Sequence, residues 1–521
     1  MGHRRWVLSG IGLLLMLLAW FTYDPGIFLR APVTIPDAPP GSVLPRAQED
    51  KAAATRRDFS PGKKVDSGVE ADLATGAGRE IPGEKLVRFS TREGYEKFLA
   101  AAPPGTVLGR LEALRALRVR DGDWLSAAAQ GNGGTISGNY YVRVPSVPLE
   151  VKERGDAIYQ AVGKKALELI GADAVRDAWG GGITVGLMDT PLEGTETANS
   201  ENAGHGTAMR SLISGNSGAA RGAAPASTIA GFPVLDMDGK GSSFGLAEAL
   251  VRAVEQGVRV INMSLGSEGD SPVVRDAVAY ALARNVVLVA AAGNDAVNRV
   301  SFPAAYEGVV AVGSVDANGQ SLYFSNRGPQ VDVVAPGYAV VAAWPGQKYV
   351  EVSGTSASTA LVSGAMAALL SREPGLTGAQ AARLLVSYAD DVGAPGRDDE
   401  SGAGVVNLQR VLERNQRGIV DVAVAGVILR EEGTLGKITV GVQNRGTETV
   451  NSPSLEITAG SERRKFYFGS LAPGQTAAET LTFDLARARL EGGIAAGAGA
   501  EVRGDQRPEN DLWTGYFRIS K

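Results

Sequence analysis

Gly182-Ile183-Thr184-Val185-Gly186-Leu187-Met188-Asp189-Thr190 is a short, uncharged, mostly apolar run that stops on an acid. It is too short for a buried helix and does not alternate. It therefore suits a strand covered on both faces, as in a parallel sheet. Thr228–Leu235, Val258–Met263, Val286–Ala291 and Val309–Val312 are runs of the same kind. Amphipathic segments lie between them: Phe244, Ala247, Leu250, Val251 and Val254 share one helical face. Ser271-Pro272 reads as an N-cap with proline at the first helical position, opening a helix to about Arg284. Thr377 and Gln380 form a capping-box pair before Ala381–Ala389. Residues 165–412 are expected to be an α/β domain, a parallel sheet flanked by helices.

Outward from this domain the texture changes on both sides. Residues 83–146 read as a small α+β unit: a strand Lys85–Phe89, a helix Thr91–Ala101 with Ser90 as its cap, strands Val107–Leu111 and Ala116–Arg120, a short helix Trp124–Gln130, and a strand Tyr140–Val144 ended by Pro145. The order β-α-β-β-α-β is the split βαβ pattern. Residues 147–164 read as an exposed, flexible connection, with Pro148 early and the polar stretch Lys152–Asp156. From about Gly418 to the end, Val420–Val427, Gly436–Gln443, Ser454–Ala459, Lys465–Phe468 and Thr480–Phe483 alternate with turn residues and suggest a β-sandwich over 418–521.

Residues 25–82 are broken by Pro25, Pro32, Pro36, Pro39, Pro40, Pro45 and Pro61 and read as a flexible linker. Before them, Trp6 to Tyr23 carry no charge, follow His3, Arg4 and Arg5, and are closed by Asp24-Pro25. As a helix this run spans about 27 Å, enough for a bilayer core. Residues 1–24 are thus expected to be a membrane anchor or a signal segment, and the rest of the chain extracytoplasmic. No small-x-small cleavage site follows the run, which favours the anchor.

Composition narrows the chemistry. The chain has 521 residues, 44% apolar and 21% charged, with Lys+Arg 52 against Asp+Glu 57 and no cysteine. That is globular composition with no basic excess for a nucleic-acid partner, no disulfide and no thiolate nucleophile or metal ligand. There are 2 histidines, and His3 lies beside the start, so an imidazole base must be His205.

Four short segments carry the chemistry together. Asp189 ends a parallel strand, at the edge where open α/β sheets place their sites. His205 stands in Gly204-His205-Gly206-Thr207 before a helix. Asn294 closes the buried run Val286–Gly293, and its carboxamide can donate without titrating, as an oxyanion donor must. Ser356, in Gly354-Thr355-Ser356-Ala357, enters the apolar helix Leu361–Leu370, where free N–H groups favour developing negative charge. Taken singly, Asp189 and Asn294 read more readily as turn residues, His205 equally as a structural histidine, and Ser356 as an ordinary N-cap. All four at strand ends and helix starts of one domain make a different statement.

These segments resemble the subtilisin-like serine peptidases, whose chain order is Asp, His, Ser. The likeness extends to Gly222-Ala223-Ala224-Pro225, Val260–Gly266, Ser301-Phe302-Pro303-Ala304, Phe324–Gly328 and Ala335-Pro336-Gly337. Residues 83–146 resemble the family's inhibitory propeptide, and the C-terminal unit resembles bacterial adhesion-type, immunoglobulin-like modules. Pro191, Ala208 and Ala360 depart from the family's usual residues, and the interval from Asp189 to His205 is short. The resemblance implies Ser356 as nucleophile, His205 as base, Asp189 as its orienting carboxylate, Asn294 with the Ser356 N–H as oxyanion donors, and Ser264, Leu265 and Gly266 as the strand that pairs with substrate. It implies protein or peptide substrates, an intramolecular inhibitor, membrane contact through the N-terminal helix, self-cutting at the join, and no cofactor or catalytic metal. A structural calcium ion is compatible with it, but no residue is assigned. The competing reading is an inactive subtilisin-like binding or surface-adhesion protein, disfavoured by the intact Asp189, His205, Asn294 and Ser356.

Overall fold

The computed structural model of the chain describes residues 55–56, 78–147, 153–154, 157–174, 177–192, 202–217 and 220–519. The expected membrane segment and most of the expected linker lie outside these residues. Among the described residues no helix is long and apolar enough to cross a membrane.

The N-terminal α+β region runs β1 (Glu80–Phe89), α1 (Arg92–Ala101), β2 (Val107–Leu111), β3 (Ala116–Arg120), α2 (Trp124–Gly131), β4 (Gly134–Arg143). Phe89, Tyr95, Phe98, Leu117 and Leu125 fill its core. Three details differ from the sequence reading. Thr91, not Ser90, caps α1, its Oγ1 accepting from Gly94 N at 3.1 Å. β1 starts inside the stretch read as linker; the pairing of β1 with β4 shifts register between Glu80 and Lys85, and this irregularity accommodates Pro82. Thr55–Arg56, also within that stretch, pair in parallel with Val350 and Glu351.

The central region contains β5 (Thr184–Asp189), α3 (His205–Ser214), β6 (Thr228–Pro233), β7 (Lys240–Ser242), α4 (Ser243–Glu255), β8 (Val260–Met263), α5 (Pro272–Leu282), β9 (Val287–Ala291), β10 (Val309–Val315), β11 (Val333–Pro336), β12 (Val340–Trp344), β13 (Lys348–Val352), α6 (Thr355–Arg372), α7 (Gly378–Ser387) and α8 (Leu408–Glu413). Six strands form one parallel sheet in the order β6-β5-β8-β9-β10-β11. Alternate residues feed two cores. Val287 and Val289 of β9 face α3, α6 and α7, whereas Leu288 and Ala290 face α4 and α5. Helix α6 is buried from Thr355 to Leu370 and forms the centre of its layer. The capping box of Thr377 and Gln380 is formed. Ser271 does precede Pro272 at the start of α5, but its side chain caps nothing; its N–H donates instead to the Tyr306 hydroxyl at 3.0 Å.

The N-terminal region packs on this domain and shares a sheet with it. β7 joins β4, giving the order β7-β4-β1-β3-β2. Asn139 Oδ1 accepts from Ser243 Oγ at 3.0 Å and from Phe244 N at 3.1 Å, satisfying the start of α4. Arg88 Nη1 reaches both carboxylate oxygens of Asp276, at 2.8 and 2.7 Å. The join was expected to be exposed, but its described ends are anchored. Val147 is buried with Tyr159, Leu322, Phe324 and Tyr338, and Val162 N donates to Tyr338 O at 3.0 Å. Apolar residues on both flanks of the polar stretch explain the difference.

The C-terminal region is antiparallel: β14 (Val422–Glu432), β15 (Leu435–Asn444), β16 (Ser454–Ala459), β17 (Glu462–Tyr467), β18 (Thr476–Asp484), α9 (Leu485–Glu491), β19 (Gly493–Glu501) and β20 (Leu512–Arg518). Sheets β14-β15-β18 and β17-β16-β19-β20 enclose Val422, Ile438, Val440, Leu455, Ile457, Leu481 and Phe483. Buried polar contacts connect it to the central region. Arg410 of α8 donates to Tyr388 O, Ala389 O and Asp390 Oδ1 at 3.0, 2.8 and 2.9 Å, and Arg445 lies 3.3 Å from the same carboxylate.

Candidate active site

Strands β5, β8 and β9 are neighbours and parallel, so their carboxyl ends open on one edge of the sheet. β5 ends on Asp189. Its Oδ1 accepts from Thr190 N and lies 2.7 Å from His205 Nδ1, and both side chains are buried. His205 opens α3. That helix is held to the end of β5 by Gly206, whose N–H donates to Thr190 Oγ1 at 3.0 Å. A Cβ at Gly206 would sit 2.5 Å from the Thr190 carbonyl oxygen, so only glycine allows this approach.

Ser356 is the second residue of α6. Its Oγ donates to Ser264 O at 3.2 Å, and Ser264 Oγ donates to Ser356 O at 3.0 Å. Asn262 of β8 donates to Ser264 Oγ at 2.9 Å and accepts from Ser363 Oγ, also at 2.9 Å. These bonds fix the start of α6 to the end of β8. α6 packs on α3 and β5 through Ala357, Leu361, Ala208, Leu212 and Val185.

Asn294 lies just beyond β9. Its Oδ1 accepts from Thr355 N at 3.0 Å and Thr355 Oγ1 at 2.9 Å, and its Nδ2 donates to Pro145 O at 3.1 Å. Gly354 has φ +127°, and a Cβ there would meet Asn294 Nδ2 at 2.8 Å and Val147 Cγ2 at 3.0 Å. Glycine is therefore required where α6 begins.

The occupant of this edge is the chain itself. Arg143 and Gly266 exchange both backbone hydrogen bonds, each 2.9 Å, and Val144 N donates to Gly239 O at 3.0 Å. Arg143 also pairs with the Glu268 carboxylate. Of the three residues expected on the substrate strand, Gly266 faces this segment through its backbone, Ser264 is tied to Ser356, and the Leu265 side chain is fully buried in the core. The sequence reading missed Pro145, which it took only as the end of a strand, and Thr355, which orients the Asn294 carboxamide. The Asn294–Thr355 bonds link residues 61 positions apart, so no local pattern discloses them.

Among the described residues no three carboxylate or imidazole side chains gather to hold a metal ion.

The sheet edge carries a buried Asp–His pair, α6 opens on a serine, and the proteins this chain is similar to include proteases. The Subtilase family matches residues 180–404. A thermostable alkaline protease of Halalkalibacterium halodurans is 34% identical over 254 residues, which are 46% of this chain and 70% of that one. Subtilisin DY of Bacillus licheniformis is 32% identical over 266 residues, 47% of this chain and 96% of that one. The solved protease domain of PatA, a serine-to-alanine mutant, aligns at 30% identity with a TM-score of 0.41, covering 44% of this chain and 94% of that one. The protein is a serine endopeptidase. It belongs to the subtilase family.

Proposed function

We propose that Asp189, His205 and Ser356 form the catalytic triad of an exported endopeptidase and that Asn294 is its oxyanion donor. Ser356 Oγ attacks the carbonyl carbon of the substrate and passes its proton to His205. His205 returns that proton to the departing amine, and water then releases the acyl group by the same route. Asp189 holds the imidazole in one tautomer through Nδ1. Asn294 and the Ser356 N–H stabilise the charge that develops on the carbonyl oxygen. Substrates are proteins, whose backbone adds as a strand alongside Gly266. The observation that carries this reading is the chain's own segment Arg143–Val147, which crosses the site with the Pro145 carbonyl on Asn294 Nδ2.

On this reading residues 83–146 are an intramolecular inhibitor, 165–412 the catalytic domain and 418–521 an immunoglobulin-like module. Residues 1–24 export the chain and anchor it in the membrane until self-cutting at the join releases the rest. A structural calcium ion has no assigned ligands in it. A fluorophosphonate probe, followed by peptide mass spectrometry, is expected to label Ser356 in the wild type and nothing in Ser356→Ala. Casein hydrolysis by Ser356→Ala at near wild-type rate would sink the assignment.

A further inference from the structure

We propose that Pro145 is a brake on the chain's own cutting: it seats the Pro145–Ser146 bond at the catalytic edge while withholding from the Ser264 carbonyl the backbone N–H that any other residue would donate. The inference rests on Ser356 as nucleophile and Asn294 as oxyanion donor.

The register of the segment supplies the first step. Arg143 and Gly266 exchange both N–H···O bonds. In an antiparallel pair the next such partners lie two residues further along each strand. Those are Pro145 and Ser264. Any other residue at 145 would direct its N–H at the Ser264 carbonyl. Proline has no N–H to give.

The second step concerns what that carbonyl does receive. Ser356 Oγ donates to Ser264 O at 3.2 Å. A backbone carbonyl has two lone pairs, so beside the Ser356 hydroxyl Ser264 O has room for the strand N–H that proline does not supply. The peptide itself is well seated. Pro145 O is held by Asn294 Nδ2 at 3.1 Å, Val144 N by Gly239 O, and Val147 is buried beyond the bond. Pro145 is buried and Ser146 exposed. The bond is therefore in position, and what is missing is one backbone donor. When cutting occurs, the Pro145–Ser146 C–N bond breaks, the Pro145 acyl group passes to Ser356 Oγ, and the Ser146 nitrogen takes the proton from His205. Water then frees the Pro145 carboxylate.

Replacing the proline restores the donor. Purified full-length wild type, Pro145→Ala and Ser356→Ala chains would be incubated and followed by intact-mass spectrometry. Pro145→Ala is expected to give a species beginning at Ser146 at least about tenfold faster than wild type, the scale of one hydrogen bond. Ser356→Ala should stay whole. Equal rates for wild type and Pro145→Ala would overturn the brake and leave self-cutting standing. Probe labelling of Ser356 with neither chain cut would overturn self-cutting at this bond, and the brake with it. A second measurement does not depend on the variant folding. Peptides spanning Arg143–Val147 with proline, alanine or N-methylalanine at the central position would be offered to the self-cut protein. The N-methylalanine peptide, which has no N–H and no ring, should be as slow as the proline peptide. If it is as fast as the alanine peptide, ring shape sets the rate and the proposal fails.

Discussion

His205 Nδ1 and Asp189 Oδ1 lie 2.7 Å apart with both side chains closed to solvent, at 0% and 1% exposure. The pair joins the last residue of β5 to the first of α3. On the proposed reading, a carboxylate there accepts the Nδ1 proton and leaves Nε2 as the base. Asp189→Asn can instead donate to Nδ1 and favour the wrong tautomer. The expected result is a kcat about 10⁴ lower, the loss known for this change in another serine peptidase fold, with far-ultraviolet circular dichroism unchanged. A loss under tenfold would deny Asp189 its role.

Asn294 has two faces with different duties. Its oxygen holds Thr355 and its nitrogen faces the bound carbonyl. Asn294→Ala should lower kcat by about 10²–10³, the magnitude characteristic of losing this donor in the family, and leave KM nearly unchanged. Thermal stability should drop as well, because the Thr355 N–H loses its acceptor. Asn294→Asp keeps the acceptor, so it should recover the stability and not the rate. Steady-state kinetics beside calorimetry separate the two duties.

Asp391 sits in the contact between the central and C-terminal regions, its N–H donating to Gln443 Oε1 at 3.1 Å and its Oδ2 accepting from Gly396 N at 2.7 Å. Burial pushes its carboxyl up to about 7; the Gly396 N–H and Arg445 pull it down, and Asp398 adds to the rise. The unfolded chain ionises this group near pH 4. Between about pH 4 and 7 the folded state keeps a proton that the unfolded state has lost, so this residue makes stability fall as pH rises through that window. Asp391→Asn stays neutral. It should match wild type near pH 4 and exceed it increasingly up to pH 7. Urea denaturation at several pH values, with Ser356→Ala in both chains to stop proteolysis, checks this; parallel curves would refute it.

Arg410 is 3% exposed and satisfies three oxygens from residues 388–390. Arg410→Met removes the cation and leaves Asp390 with Arg445 and the Asn407 amide. The expected loss is about 3–5 kcal/mol in the same denaturation assay. Activity at low temperature should be retained, because the cluster does not touch the catalytic edge.

The parallel sheet was readable because each strand is a short apolar run with no alternation, and β9 realises this with residues feeding both cores. The Asp189, His205, Asn294 and Ser356 segments were legible for the same reason: each sits where an element ends or starts. The C-terminal strands β19 and β20 were not foreseen. Gly493-Ile494-Ala495-Ala496-Gly497-Ala498-Gly499-Ala500 lacks the branched and aromatic residues that mark a strand, and it is ordered by pairing with β16 and β20. Pro145 was opaque for a deeper reason. Its meaning comes from Gly266 and Asn294, more than a hundred positions away, and no window of sequence contains both.

The strand that crosses the catalytic edge is flanked on one side by β7 and on the other by Gly266, so the cleft is a gap in a sheet one strand wide. Only extended backbone fits such a gap. A helix or an internal strand of a folded protein already spends its N–H and C=O groups on its own neighbours. It must release several residues before it can enter. Cleavage of a folded target will then follow how often that stretch opens, when reclosing is faster than cutting. On the proposed reading, a peptidase with this cleft would measure the local stability of whatever it meets, sparing well-folded proteins and consuming damaged ones of the same sequence.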